Sequence, residues 1–146
     1  MNNIPDRLYI DKKDRPRYDK LDEIDMLKFK DRGGVRTRRE QFMIALSVGF
    51  KNKHRKKIES REGFVLYKDL HPEDISIIKA IAIYEKGDEN ILSDPKSVYV
   101  ISEEYAHAGI IILNESINSS SYGSFEKRIE KELFELYKNL GKEYNE

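Results

Sequence analysis

The sequence predicts a mainly α-helical protein, an irregular bundle of about five helices with one short extended segment. Three observations predict it. Helix-starting chemistry recurs at Thr37-Arg38-Arg39-Glu40, His71-Pro72-Glu73-Asp74 and Asp94-Pro95. Apolar residues follow those starts at steps of three and four. The connections between the stripes are short and rich in Gly, Asn, Asp and Ser.

Residues 1–17 are polar, contain Pro5 and Pro16, and read as a mobile arm or an extended segment packed on the rest; residues 18–146 read as a single helical domain. After Asp19, Leu21, Ile24 and Leu27 have helical spacing, and Gly33-Gly34 supplies a turn. Thr37 and Glu40 form a capping-box pattern. Behind it Phe42, Ala45, Leu46, Gly49 and Phe50 share one face. The segment from Lys53 to Glu62 is too charged to be core, and Gly63 to Tyr67 reads as a single strand or connector without an evident partner. Pro72 suits a first helical turn and the acids beside it suit the positive end of a helix dipole. Ile77, Ile78, Ile81 and Tyr84 are the expected buried face there, and Gly87 the stop. Asp94-Pro95 opens a longer helix carrying Val98, Ile101, Tyr105, Ala108 and Ile112. Asn118 to Gly123 reads as a loop, and Ser124 as the cap of a last helix with Phe125, Ile129, Leu133, Leu136 and Leu140.

Composition narrows the function. The 146 residues are 38% hydrophobic and 37% charged, so a modest core carries a heavily charged surface. With no cysteine, disulfides, thiolate metal sites and a Cys nucleophile are excluded. Residues 1–18 contain no apolar run of signal-peptide type, and no stretch approaches the roughly 18 apolar residues of a membrane span. A cytoplasmic location without membrane contact is the expectation. Phosphate-loop, dinucleotide and serine-hydrolase signatures are missing.

The formal net charge is zero, yet the charge is segregated. Residues 32–61 hold 10 basic and 2 acidic side chains, whereas residues 62–146 hold 9 basic and 17 acidic. The basic cluster Lys51, Lys53, Arg55, Lys56 and Lys57, with Arg36, Arg38 and Arg39 at the other end of the preceding helix, is the candidate nucleic-acid surface. Lysine and arginine at that density neutralise phosphates and release counterions, giving backbone contact without base readout. The competing reading is a solvated segment that balances the acidic C-terminal half. Glu104 and His107 share a helix face at the spacing used by di-iron bundles. No matching second motif exists, so both are expected at the edge of the core or in solvent around Tyr105. Asp88 and Asp94-Pro95-Lys96 have a faint nuclease-like arrangement but sit in a loop at a helix start, where capping is the simpler role. Neither metal nor cofactor is expected. Tyr67 and Tyr122 are the aromatics considered as exposed contacts.

The stretch Gln41-Phe-Met-Ile-Ala-Leu-Ser-Val-Gly-Phe-Lys-Asn-Lys53, with Ile-Leu-Ser-Asp at 91–94 and Glu103-Glu-Tyr-Ala-His-Ala-Gly109, resembles the small accessory proteins encoded beside DNA phosphorothioation (Dnd) systems. The resemblance covers roughly residues 37–140 and contains no catalytic motif. It implies an auxiliary role in DNA modification or phage defence. The expected function is therefore a non-enzymatic accessory protein that touches the DNA backbone and works with protein components of such a system. The alternative is an interaction adaptor that binds no nucleic acid.

Overall fold

The helices that begin at Arg38, Pro72 and Pro95 each start at a hydrogen bond between a side chain and a backbone N–H. A computed structural model of the chain describes residues 4–21, 37–119 and 129–139. Five α-helices dominate it: α1 (Arg15–Leu21), α2 (Arg38–Lys51), α3 (Pro72–Lys86), α4 (Pro95–Ser119) and α5 (residues 129–139). Strands β1 (Arg7–Asp11) and β2 (Arg61–Leu66) form a small antiparallel sheet. At the start of α2, Thr37 Oγ1 accepts from the Glu40 N–H at 3.2 Å and donates to the Glu40 carboxylate at 3.0 Å. Asp74 accepts from the His71 N–H at 2.8 Å, and Asp94 from Ser97 N–H at 3.3 Å. Gly87 ends α3 in the left-handed conformation, φ 67°.

The chain divides into two compact units, Met1–Leu113 and Asn114–Glu146. In the first, Leu8, Tyr18, Phe42, Leu46, Ile78 and Ile101 are among the most fully buried side chains. Helices α2 and α4 meet backbone to backbone. A β-carbon on Gly49 would run into the carbonyl oxygen of Tyr105, and one on Gly109 into that of Ala45. Within the second unit, Ile129 is buried, Leu133 and Leu136 are half-buried, and Phe134 and Tyr137 stand in solvent.

Several expectations need correction. The Gly63–Tyr67 segment has a partner after all, because residues 7–11 pair with it: Leu8 lies opposite Val65 and Asp11 opposite Arg61. The register shifts between Leu8 and Tyr9, where β2 carries an extra residue. That bulge lets the adjacent Phe64 and Val65 both turn inward. On α3 the buried stripe is Asp74, Ile78, Ile81 and Ala82. Ile77 and Tyr84 lie on its flank, 42% and 60% exposed. Helix α4 continues through Ser119, past the expected loop start at Asn118. Ile58 is buried within the charged segment that follows α2. The positions assigned to Ile24, Leu27, Gly33-Gly34, Tyr122, Ser124, Phe125 and Leu140 lie outside the described residues. Among the described residues no helix is long and apolar enough to cross a membrane.

Candidate nucleic-acid interface

The basic segment begins at the end of α2, and the way that helix stops determines where its charges go. Asn52 is the last half-helical residue, and its side-chain amide donates to the Val48 carbonyl at 2.7 Å. The Lys53 N–H then donates to the Phe50 carbonyl at 3.1 Å and the His54 N–H to the Gly49 carbonyl at 3.0 Å. This double bond pattern closes a helix with a left-handed residue in the position of Lys53, where glycine is usual. Lys53 has φ 54°. A side chain in that conformation costs about 1–2 kcal/mol. The Lys53 ammonium lies 4.3 Å from the Phe50 ring centre and 4.2 Å from that of Tyr84, and donates to the Tyr84 hydroxyl at 3.1 Å. Cation–π contacts at exposed sites return roughly 0.5–1 kcal/mol each. Phe50 in turn meets Tyr84 and Tyr105 edge to face, with centroids 5.3 and 5.5 Å apart.

Beyond Lys53 the chain is pinned as a strap. The Lys56 N–H donates to the Glu104 carbonyl at 3.1 Å, Ile58 is buried, and the Glu59 N–H donates to Asp11 Oδ2 at 3.0 Å. Arg55 bridges two helices, its Nη1 2.6 Å from Glu85 of α3 and its Nε 2.7 Å from Glu104 of α4. Burial opposes the Arg55 charge, but these two carboxylates outweigh it and raise its pKa further. Glu85 is held below the ordinary range by the Tyr105 hydroxyl and then by Arg55. Tyr105 is pushed up to about 12 by burial and by Glu85.

The eight basic residues singled out in the sequence therefore have different surroundings. Lys51, Lys53, Arg55, Lys56 and Lys57 come together on the strap. Lys51, Lys56 and Lys57 are exposed and have no side-chain ion pair among the described residues. Arg38 and Arg39 lie at the far end of α2, about 20 Å away along a 14-residue helix. Arg39 donates to both oxygens of Asp74 at 2.9 and 2.7 Å. Arg38 stacks over Phe64 at 5.3 Å, beside a cavity of about 470 Å³ that Asp69 and His71 also line. Arg36 lies outside the described residues.

Beneath the strap is a layer of acids whose partners lie far away in sequence. His107 Nδ1 sits 2.6 Å from Asp14 Oδ2, and Arg17 donates to the other Asp14 oxygen at 2.7 Å. His107 is buried, which corrects the expectation of an edge or solvent position. Asp11 stays below its ordinary pKa: burial works against that, and the N–H groups of Lys13, Glu59 and Ser60 prevail. Glu103 accepts from the Tyr9 N–H at 2.7 Å and from Arg61 at 2.9 Å. Burial nonetheless pushes its pKa up to about 7. Among the described residues no group of three or more His, Asp or Glu is arranged to hold a metal ion. Glu104 pairs with Arg55 rather than with His107, and Asp88 and Asp94 cap the turns that follow them. Tyr67 is half-buried against Tyr99, with ring centres 6.0 Å apart. Tyr84 and Phe134 read as core from the sequence and are exposed in the fold. For Tyr84 the signal is its offset from the Asp74–Ile78–Ile81 stripe.

Fold and site together define a small, mainly helical protein in which a pinned, lysine-bearing strap crosses two helices. The chain belongs to the family described as DNA sulphur modification system-associated protein 4, whose model matches residues 16–144. Comparison with curated proteins and with solved structures returns no match. The Gly-Phe-Lys-Asn step that carried the resemblance has a structural meaning here. Gly49 admits α4, Phe50 meets two tyrosines, Lys51 is the last helical residue and Asn52 caps it.

Proposed function

We propose that this chain serves a DNA sulphur modification system as an accessory protein that holds nucleic-acid backbone on the strap between Lys51 and Lys57. It works by binding and not by catalysis. One observation carries the reading: Lys51, Lys56 and Lys57 are exposed and unpaired among the described residues, on a segment whose backbone is fixed. Lysines carried on a fixed backbone meet phosphates without an ordering cost for the loop, and Arg39 and Arg55 are engaged by carboxylates within the fold. Arg55 belongs to the clamp and not to the contact surface, because Glu85 and Glu104 hold it. Binding through about four lysines should weaken roughly a hundredfold between about 50 and 200 mM salt. Reversing Lys51, Lys56 and Lys57 to Glu should abolish it with the fold intact. Failure of the unaltered protein to bind any DNA at about 50 mM salt would contradict the proposal.

A second reading has its own observation. Phe134 and Tyr137, 66% and 79% exposed, lie three residues apart on α5. Such a pair suits docking on a protein component of the same system. Phe134→Ala with Tyr137→Ala would then remove a protein partner and leave DNA binding unchanged.

A further inference from the structure

We infer that the nucleic acid held by the strap is single-stranded, and that Tyr84 stacks on one of its bases beside the Lys53 ammonium. This rests on the backbone-contact reading above and specifies its ligand. Three features of the structure point the same way.

The first is the helix end. The left-handed position after α2 is held by Lys53, where glycine would be free of strain. Strain of this kind is kept where the surroundings over-determine it, and an observed outlier is a reason to look for a role. What the conformation delivers is an ammonium on the Phe50 and Tyr84 rings. The second is Tyr84 itself. It is 60% exposed, while the neighbouring Phe50 and Tyr105 are half-buried and buried. The third is the local field. Glu85, the next residue along the helix, and Glu104 both have their carboxylates turned onto Arg55.

A duplex presents phosphates and hides its base faces, so a duplex surface has no use for an exposed ring among lysines. A single strand presents both. Backbone-tracking cations combined with aromatic platforms are the chemistry that single-strand binders share, and every base has a face to stack.

Fluorescence anisotropy at about 50 mM salt with a labelled oligonucleotide and its duplex tests this. The single strand should bind about tenfold tighter than the duplex. Tyr84→Ala should weaken single-strand binding about tenfold and leave duplex binding within about twofold, and Tyr84→Phe should retain single-strand binding. Lys53→Gly removes the strain, so it should melt no lower than the unaltered protein while it binds the single strand less well. That variant keeps the test valid even where a Tyr84 substitution disturbs packing. Equal or tighter binding of the duplex, with Tyr84→Ala indistinguishable from the unaltered protein, would overturn the inference and leave the backbone reading standing. Binding of neither form would overturn both.

Discussion

The two ends of α2 carry basic side chains in similar density, and the fold engages their guanidinium groups differently from their ammonium groups. At the N-terminal end Arg39 is fastened to Asp74 and Arg38 lies on Phe64. At the C-terminal end Lys51, Lys56 and Lys57 remain in water. Even there, the one guanidinium present, Arg55, is taken up by two carboxylates. The difference follows from side-chain chemistry. A planar guanidinium is weakly hydrated and matches a carboxylate with two parallel donors, whereas an ammonium is strongly hydrated and holds its water. Among the described residues at these two ends, Arg39 and Arg55 are built into the fold and Lys51, Lys56 and Lys57 are presented to solvent. A count of positive residues therefore overstates the surface that a phosphate can meet.

That contrast can be broken at several points. The largest effect is expected at the helix crossing that supports the strap. Gly109→Ala places a methyl against the Ala45 carbonyl with backbone on both sides, so nothing flexible can yield. A loss of about 3 kcal/mol or more is expected in urea denaturation, because overpacking here must move a helix. Next is Arg39→Ala, which leaves Asp74 with 8% of its side chain exposed and no cation. About 2–3 kcal/mol should be lost, with no change in DNA affinity.

Glu103 gives a smaller, pH-dependent effect. Its pKa is raised to about 7 from an ordinary value of 4.5, because burial favours the protonated carboxyl over what Tyr9 and Arg61 donate to it. The folded chain then holds a proton that the unfolded chain has already released. The contribution of this group is full below about pH 4.5 and is lost as pH rises through 7. Glu103→Gln should flatten the stability profile between about pH 5 and 8 and raise stability at pH 8 by about 1–3 kcal/mol. An unchanged profile would mean that the acidic layer under the strap is wetter than its burial implies.

Much of the helical framework is legible in the sequence because it is written locally. Thr37 and Glu40, His71 to Asp74, and Asp94 with Ser97 lie within one helical turn of each other, and each marks the helix start expected there. The sheet is not local. Leu8 and Ile10 alternate inward in a short charged stretch, and their partners lie more than fifty residues downstream. His107 is similarly opaque, because the carboxylate that makes its burial tolerable is Asp14, 93 residues earlier. Tyr84 reads as core from the sequence because it continues an apolar step of three from Ile81. The actual stripe turns away from it toward Ala82. For the site, the run of positive charge is plain from composition. Which members are engaged by acids depends on Glu85, Glu104 and Asp74 arriving from other helices, which no local pattern records.

The central claim is that the lysines at one end of α2 meet phosphates and the arginines at the other do not. The dependence of single-strand affinity on salt measures this directly, for the unaltered protein, for Lys51→Gln, Lys56→Gln and Lys57→Gln combined, and for Arg38→Gln. The lysine variant should show a slope of log affinity against log salt shallower by about 2, and Arg38→Gln should keep the original slope. A lysine variant with an unchanged slope, or an Arg38 variant that loses it, would place the contact elsewhere and contradict the account.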